Sequence, residues 1–217
     1  MKSLVPVKTP SVVKKMFPKY VWSIPTSEPV IYLTFDDGPT PEITDWTLKI
    51  LKKFDAKASF FCIGDNIEKY PDIFQGIVSC GHAIGNHTNN HLKGWKTKTK
   101  NYLQNISKAE FIMSSQSYKT NLFRPPYGRI KPKQAKKLIV LGYHIIMWDV
   151  LTFDWDKNIT DEKCFKNVIE NTSNGSIIVF HDSIKASKNM KLVLPKVLEY
   201  YSKLGYTFKS LEFKDIA

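Results

Sequence analysis

The chain has no run of about 18 consecutive apolar residues, so no helix able to span a bilayer is expected. It has only three cysteines, Cys62, Cys80 and Cys164, at irregular spacings. That spacing excludes a cysteine-based zinc module, and the odd count leaves at least one thiol unpaired. Cys62 falls inside Ser59-Phe60-Phe61-Cys62-Ile63, which reads as a buried strand where a free thiol acts as a small core residue. Internal repeats, flexible linkers and low-complexity tracts are absent, which argues for one domain. Histidine is sparse, at five residues, and acidic side chains are outnumbered, 20 against 32 basic ones, for a net charge of +12.

Against these shortages, 42% of the 217 residues are hydrophobic, with 13 Phe, ten Tyr and five Trp, enough for a substantial core. Residues 1–28 read as a basic N-terminal extension that carries Lys2, Lys8, Lys14, Lys15 and Lys19 and is broken by Pro6, Pro10 and Pro18. The extension lacks the continuous apolar stretch of a signal peptide, so a cytoplasmic protein is expected. The excess positive charge gathers at Lys93, Lys96, Lys98 and Lys100, and again at Arg129, Lys131, Lys133, Lys136 and Lys137. Such clusters are ordinarily solvated faces. As a partner signal they suit an anionic glycan or a membrane surface. Nucleic acid is not expected, because no RNP-like or helix-turn-helix context surrounds them.

Seven apolar, β-rich runs recur along the chain, at residues 30–35, 58–63, 82–86, 122–124, 144–150, 176–180 and 207–213. Helical periodicity lies between them. One stretch is marked by Ile43, Trp46, Leu48, Ile50 and Leu51, with Thr40 as N-cap and Pro41 at the first helical position. Another is marked by Ile73, Phe74, Ile77 and Val78, and a later one by Val193, Leu194, Val197, Leu198 and Tyr201. Strands alternating with helices imply an α/β fold with a parallel sheet covered on both faces. Asp36, Asp37, His87, Arg124, Asp154 and His181 fall at or just after strand ends, and they come from five strands. Polar residues on several strand ends favour a barrel rim over the single crevice of an open sheet.

Several of these positions carry chemistry. Asp36-Asp37-Gly38-Pro39 has the composition of a tight turn. Two adjacent carboxylates at a strand end nevertheless resist joint ionisation unless positive charge is near. His87 and His91, four apart, share one face of a helical turn and can grip one ion of the zinc type. Asn86, Thr88, Asn89 and Asn90 are placed to fix the ring tautomers. His181 ends an apolar run, as a structural histidine also would, and His82 and His144 read as that ordinary kind. Arg124, before Pro125 and Pro126, would set a permanent charge beside the carboxylates. Asp154-Trp155 offers a ring that can floor a sugar site, and Asp65 and Asp182 read as caps without a role in the chemistry.

In this order the segments resemble the polysaccharide deacetylase family, carbohydrate esterase family 4, over residues 30–213. Residues 34–39 match the first family motif unchanged, and His87-Thr88-x-x-His91 matches the second. Arg124-Pro125-Pro126-Tyr127 matches the third, Asp154-Trp155 the end of the fourth, and His181 with its apolar approach the fifth. There are two departures: Leu151 stands where the fourth motif usually opens with Asp, and Val179 where the fifth usually has Leu.

The resemblance implies a catalytic domain at residues 29–217, built as a distorted (β/α) barrel of about seven parallel strands. It also implies metal-dependent removal of N-acetyl, or O-acetyl, groups from glycans such as peptidoglycan or chitin oligomers. By analogy, Asp37, His87 and His91 would hold the ion, with Zn2+ expected and Co2+ or Ni2+ as substitutes. Asp36 would be the base and His181 the acid, oriented by Arg124 and Asp154 respectively. Tyr127 would offer its N–H to the oxyanion, and Tyr127, Pro126 and Trp155 would meet the substrate. A peptidoglycan substrate would move the expected location to the cell envelope. The alternatives are a deformylase or deacetylase of a lipid-linked amino sugar, and a non-catalytic glycan-binding relative.

Overall fold

A computed structural model describes residues 5–212. Residues 1–4 of the N-terminal extension and the end of the 207–213 run lie outside it. The strands among the described residues are β1 (Tyr20–Val21), β2 (Val30–Asp36), β3 (Ala58–Cys62), β4 (Ala83–Asn86), β5 (Leu122–Phe123), β6 (His144–Ile146), β7 (Val150–Leu151), β8 (Ile177–His181) and β9 (Thr207–Phe208). They pair in the order β1-β6-β5-β4-β3-β2-β8-β7, with β9 joined to the start of β2. Every pairing is parallel. Around them lie α1 (Ser11–Met16), α2 (Ile43–Lys53), α3 (Gly64–Lys69), α4 (Pro71–Ser79), α5 (Thr99–Ser115), α6 (Pro132–Val140), α7 (Asp161–Ile169) and α8 (Ser187–Lys203). The result is a distorted (β/α) barrel. None of these helices is long and apolar enough to cross a membrane.

Strand periodicity explains what the barrel encloses. On β2, Ile31, Leu33 and Phe35 join the core shared with the helices, alongside Phe60, Phe180 and residues of α8. Val30 and Tyr32 belong to a separate inner cluster with Phe61, Leu122, Ile146 and Ile177. Thr34 and Asp36 continue that inner column, so the inside turns from apolar to polar toward the C-terminal strand ends. On β8, Ile177, Val179 and His181 alternate with the outward Ile178 and Phe180 in the same way.

Nine strands rather than seven arise for two reasons. The run 144–150 is interrupted at residues 147–149, giving β6 and β7 on different parts of the sheet. The stretch read as an N-terminal extension supplies β1, which pairs with β6. Residues 7–9 also line the outer edge of β7, where the Leu151 N–H donates to the Val7 carbonyl and the Thr9 N–H to the Asp149 carbonyl, both at 2.8 Å. Lys8 and Lys14 reach Asp149 at 3.2 and 2.6 Å, and Ser176 donates to the same carboxylate at 2.6 Å. Burial opposes ionisation of Asp149, but these partners hold its carboxyl below the usual range.

Helix α2 starts at Ile43, and Thr40 is not its N-cap. Glu42, at φ 63°, breaks the helical path, and the Thr40 N–H donates instead to Thr44 Oγ1 at 2.8 Å.

Candidate active site

Arg124 organises the base of the site. Its side chain is fully buried, and its guanidinium stands 4.1 Å from the Phe61 ring centroid. Nη1 donates to Asp36 Oδ1 at 2.7 Å and to Thr34 Oγ1 at 2.8 Å. Nη2 donates to the Met147 carbonyl at 2.8 Å and Nε to the Ile146 carbonyl at 3.3 Å. A buried charge with one carboxylate and three further acceptors is compensated on every side. Burial works against ionising Asp36, but the positive charge of Arg124, with His87 and His181, keeps its carboxyl below the usual range.

The Arg124 backbone carries a second function. Its carbonyl lies 2.8 Å from His87 Nδ1. A carbonyl only accepts, so Nδ1 bears the hydrogen and Nε2 presents its lone pair. The Asn86, Thr88, Asn89 and Asn90 side chains, expected to fix the tautomers, brace the loop instead. Asn86 Oδ1 accepts from Thr88 N–H, Thr88 Oγ1 from Leu92 N–H, and Asn89 reaches Asp65. Asn90 Oδ1 accepts from Asn105.

His87 and His91 do not share a helical turn. Residues 87–93 contain no helix, and Thr88 (φ 67°) and His91 (φ 56°) are left-handed. This turn brings the two rings to a 5.1 Å centroid separation. Asp37 (φ 82°) and Tyr127 (φ 61°) are left-handed as well, so uncommon backbone collects at this rim.

Asp37 Oδ1 lies 3.3 Å from His91 Nε2 and 3.7 Å from His87 Nε2. Donors about 2.1 Å from one tetrahedral ion would stand roughly 3.4 Å apart. Burial pushes both imidazoles toward the neutral form, His91 down to about 4, and a proton on either ring would repel one on the other. Asp37 Oδ1 is buried and has no hydrogen-bond partner among the described residues. A carboxylate oxygen and two imidazoles driven toward the neutral form thus converge, and their ligand atoms all lie within 4.8 Å of one another. That donor set fits a divalent first-row ion.

His181 stands differently. Its Nδ1–H donates to Asp154 Oδ1 at 2.9 Å, its backbone N–H donates to Asp154 Oδ2 at 2.7 Å, and Trp155 packs on its ring at 4.7 Å. Burial alone would lower its pKa. The Asp154 charge and hydrogen bond, with Asp37 and Asp36, raise it to about 9.

The cleft over these groups has a volume of about 600 Å³, and Asp36, Asp37, His87, His91 and His181 all line it. Tyr127 and Trp155 line it too, as do Leu151 and Val179, where the sequence departs from the family pattern. Pro126 is buried and does not reach it. The Tyr127 N–H donates to no backbone carbonyl among the described residues, and its side chain is 52% exposed beside His91.

Two supporting residues carry no sequence signal for their task. Asn66 Nδ2 donates to the Asp37 carbonyl at 2.8 Å. Asp182, read as a cap, is wholly buried and accepts from the Gly38 N–H at 3.1 Å and from the Thr44 hydroxyl. A Cβ at residue 38 would sit 2.0 Å from Asp182 Oδ2, which explains the glycine after Asp37. Burial, reinforced by the Asp37 charge, raises the Asp182 pKa to about 8.

A charge-compensated carboxylate, an acidic imidazolium and a convergent Asp-His-His set on one strand-end rim form the apparatus of a hydrolytic site. The family model described as polysaccharide deacetylase matches residues 23–146, and the chain belongs to that family. Two peptidoglycan-N-acetylglucosamine deacetylases of Bacillus cereus are similar to it. One is 38% identical over 165 residues, covering 76% of this chain and 60% of its own length; the other is 31% identical over 193 residues, covering 86% and 88%. The crystal structure of the Bc1960 peptidoglycan N-acetylglucosamine deacetylase with 4-naphthalen-1-yl-N-oxidanyl-benzamide superposes with a TM-score of 0.86 at 34% identity. It covers 94% of this chain and 95% of that one.

Proposed function

We propose that this chain is a metal-dependent hydrolase that removes N-acetyl groups from amino-sugar glycans of the peptidoglycan or chitin type. The observation that carries the reading is the unpartnered Asp37 Oδ1 facing two neutral imidazoles, flanked by Asp36 and His181. Asp37, His87 and His91 would hold the ion, with zinc the best match to one carboxylate and two nitrogens and Co2+ or Ni2+ suited to the same donors. When bound, the ion supplies Lewis acidity that polarises the acyl carbonyl and makes water easier to deprotonate.

The remaining work falls to side chains. Asp36 is held ionised by Arg124, so it takes the proton of the attacking water, a role worth about 10²–10⁴-fold. The Tyr127 N–H, which donates to no backbone carbonyl among the described residues, suits the developing oxyanion, and one such donor is worth about 3–4 kcal/mol. His181, kept protonated by Asp154, delivers the proton that lets the sugar amine depart. Trp155 beside His181 and Tyr127 beside His91 flank the sugar ring.

The test is acetate release from N-acetylglucosamine oligomers together with metal content by elemental analysis. Asp36→Asn should lose turnover while still binding metal, and His87→Ala should lose both. Full activity in either variant would rule the assignment out.

A further inference from the structure

The positive charge of the chain is segregated. Residues 91–140 hold 12 of the 32 basic side chains and only one, Glu110, of the 20 acidic ones, so they carry +11 of the net +12. Three of the twelve lie apart: Arg124 is buried against Asp36, Lys108 reaches Asp65, and Lys119 lines a separate depression with His82. The fold joins the two segments that carry the other nine. Gln134 Nε2 donates to the Gly94 and Thr97 carbonyls at 3.0 and 3.2 Å, and Lys131 Nζ to the Thr97 carbonyl at 2.9 Å. The two lysine clusters, some 30 positions apart in sequence, therefore form one continuous basic lip.

Where this lip meets the cleft, its cations stand over rings. Lys93 lies 5.3 Å from the Tyr127 centroid and Arg129 5.4 Å from that of Trp95, and the two rings meet edge-on at 5.3 Å. All four side chains line the cleft, and neither cation has a carboxylate partner among the described residues. Beyond the lip, a depression of about 610 Å³ between α5 and α6 is lined by Lys100, Lys133 and Lys137 with Thr99, Gln104 and Ser107. Both helices begin in this tract, and neither has an acidic residue in its first turn to offset the lysines. Lysines this dense repel one another and hold an unbalanced field that opposite charge relieves.

We propose that the tract from Lys93 and Arg129 to Lys100, Lys133 and Lys137 is an extended binding site for a polyanionic glycan, one bearing carboxylates along its length. The stretch of glycan outside the cleft lies along this tract. A glycan is favoured over a lipid surface because the tract opens directly into the cleft, where its cations already sit on sugar-sized aromatic faces. The inference deepens the deacetylase reading by adding charge to its substrate class.

The test compares two soluble N-acetylglucosamine polymers, anionic carboxymethyl chitin and neutral glycol chitin, with the 217-residue chain supplied with Zn2+. Three proteins are measured: the parent, Lys100→Gln/Lys133→Gln/Lys137→Gln, and the charge-matched control Lys49→Gln/Lys52→Gln/Lys53→Gln on α2. At low salt the parent should show a KM about tenfold lower on the anionic polymer, with similar kcat, and 0.5 M salt should erase the difference. The tract variant should lose that advantage, whereas the control keeps it.

Retardation in gels containing carboxymethyl cellulose, which carries no acetyl group to remove, reads binding without catalysis. Equal KM values, equal losses in both variants, or tighter binding to phosphatidylglycerol vesicles or duplex DNA than to carboxymethyl polymers would overturn the proposal. Retardation that requires the tract, with no acetate released from either polymer, would sink the deacetylase reading and leave the anionic site standing.

Discussion

His181 and His91 line the same cleft, yet their surroundings drive the two imidazoles apart: one is raised to about 9, the other lowered to about 4. Burial lowers both. The difference lies in the partner. Asp154 meets His181 through a 2.9 Å hydrogen bond at Nδ1, so its charge is spent on the ring. Asp37 faces two histidines at once, at 3.3 and 3.7 Å, and His87 repels positive charge on His91. One carboxylate for one ring makes an acid, and one carboxylate shared between two rings makes a nest of lone pairs.

The comparison breaks most sharply by deleting one histidine from each region. His181→Ala should lower kcat by about 10²–10⁴-fold with metal content unchanged. His87→Ala should lose the metal along with the activity. Elemental analysis beside acetate release separates the two, and loss of metal in His181→Ala would end the division of labour.

A second experiment moves His181 toward its counterpart. In the parent, an acid with a pKa raised to about 9 should keep activity high at neutral pH and lose it as pH rises through that value. Asp154→Asn removes the charge that raises it, so the alkaline limb should move down by about two pH units, with kcat at pH 7 reduced by roughly 10–100-fold. An unmoved limb would assign the ionisation elsewhere.

A smaller effect concerns Asp182, a carboxyl with no ion-pair partner among the described residues. Its folded pKa, near 8, exceeds the ordinary 3.8, so the folded chain holds the extra proton between those values and stability declines as pH rises across them. Asp182→Asn cannot ionise, and its stability relative to the parent should improve by roughly 2–5 kcal/mol from pH 4 to pH 8. Urea denaturation in the presence of a chelator measures this, and a pH-independent difference would contradict it.

Much of the membership of the cleft was legible in the sequence. Asp36, Asp37, His87, Arg124, Asp154 and His181 stand at or just after strand ends, His91 follows in the loop after β4, and the cleft brings these residues together or places them directly behind it. The supporting contacts were not legible. The Arg124 carbonyl that sets the His87 tautomer is a backbone group, identical in every residue type, so no side-chain pattern announces it. Asn66 and Asp182 act across 29 and 144 positions. Helix α5 was findable, since Tyr102, Ile106, Ala109 and Met113 keep a three-to-four residue spacing on its buried face. The division of 144–150 into β6 and β7 was not, because it comes from pairing with different neighbours, β6 with β1 and β5 and β7 with β8.

By itself the sequence determined which faces exist. A two-residue strand repeat put Thr34 and Asp36 on the inner side of β2 and Val179 and His181 on the inner side of β8, whatever their neighbours. Only the tertiary structure decided which imidazole became acidic and which stayed neutral, and that two lysine clusters became one surface. The reason is range. Side-chain direction along a strand is a property of a few consecutive bonds, whereas a proton's affinity and a local field depend on distances between segments that meet only when the sheet is assembled.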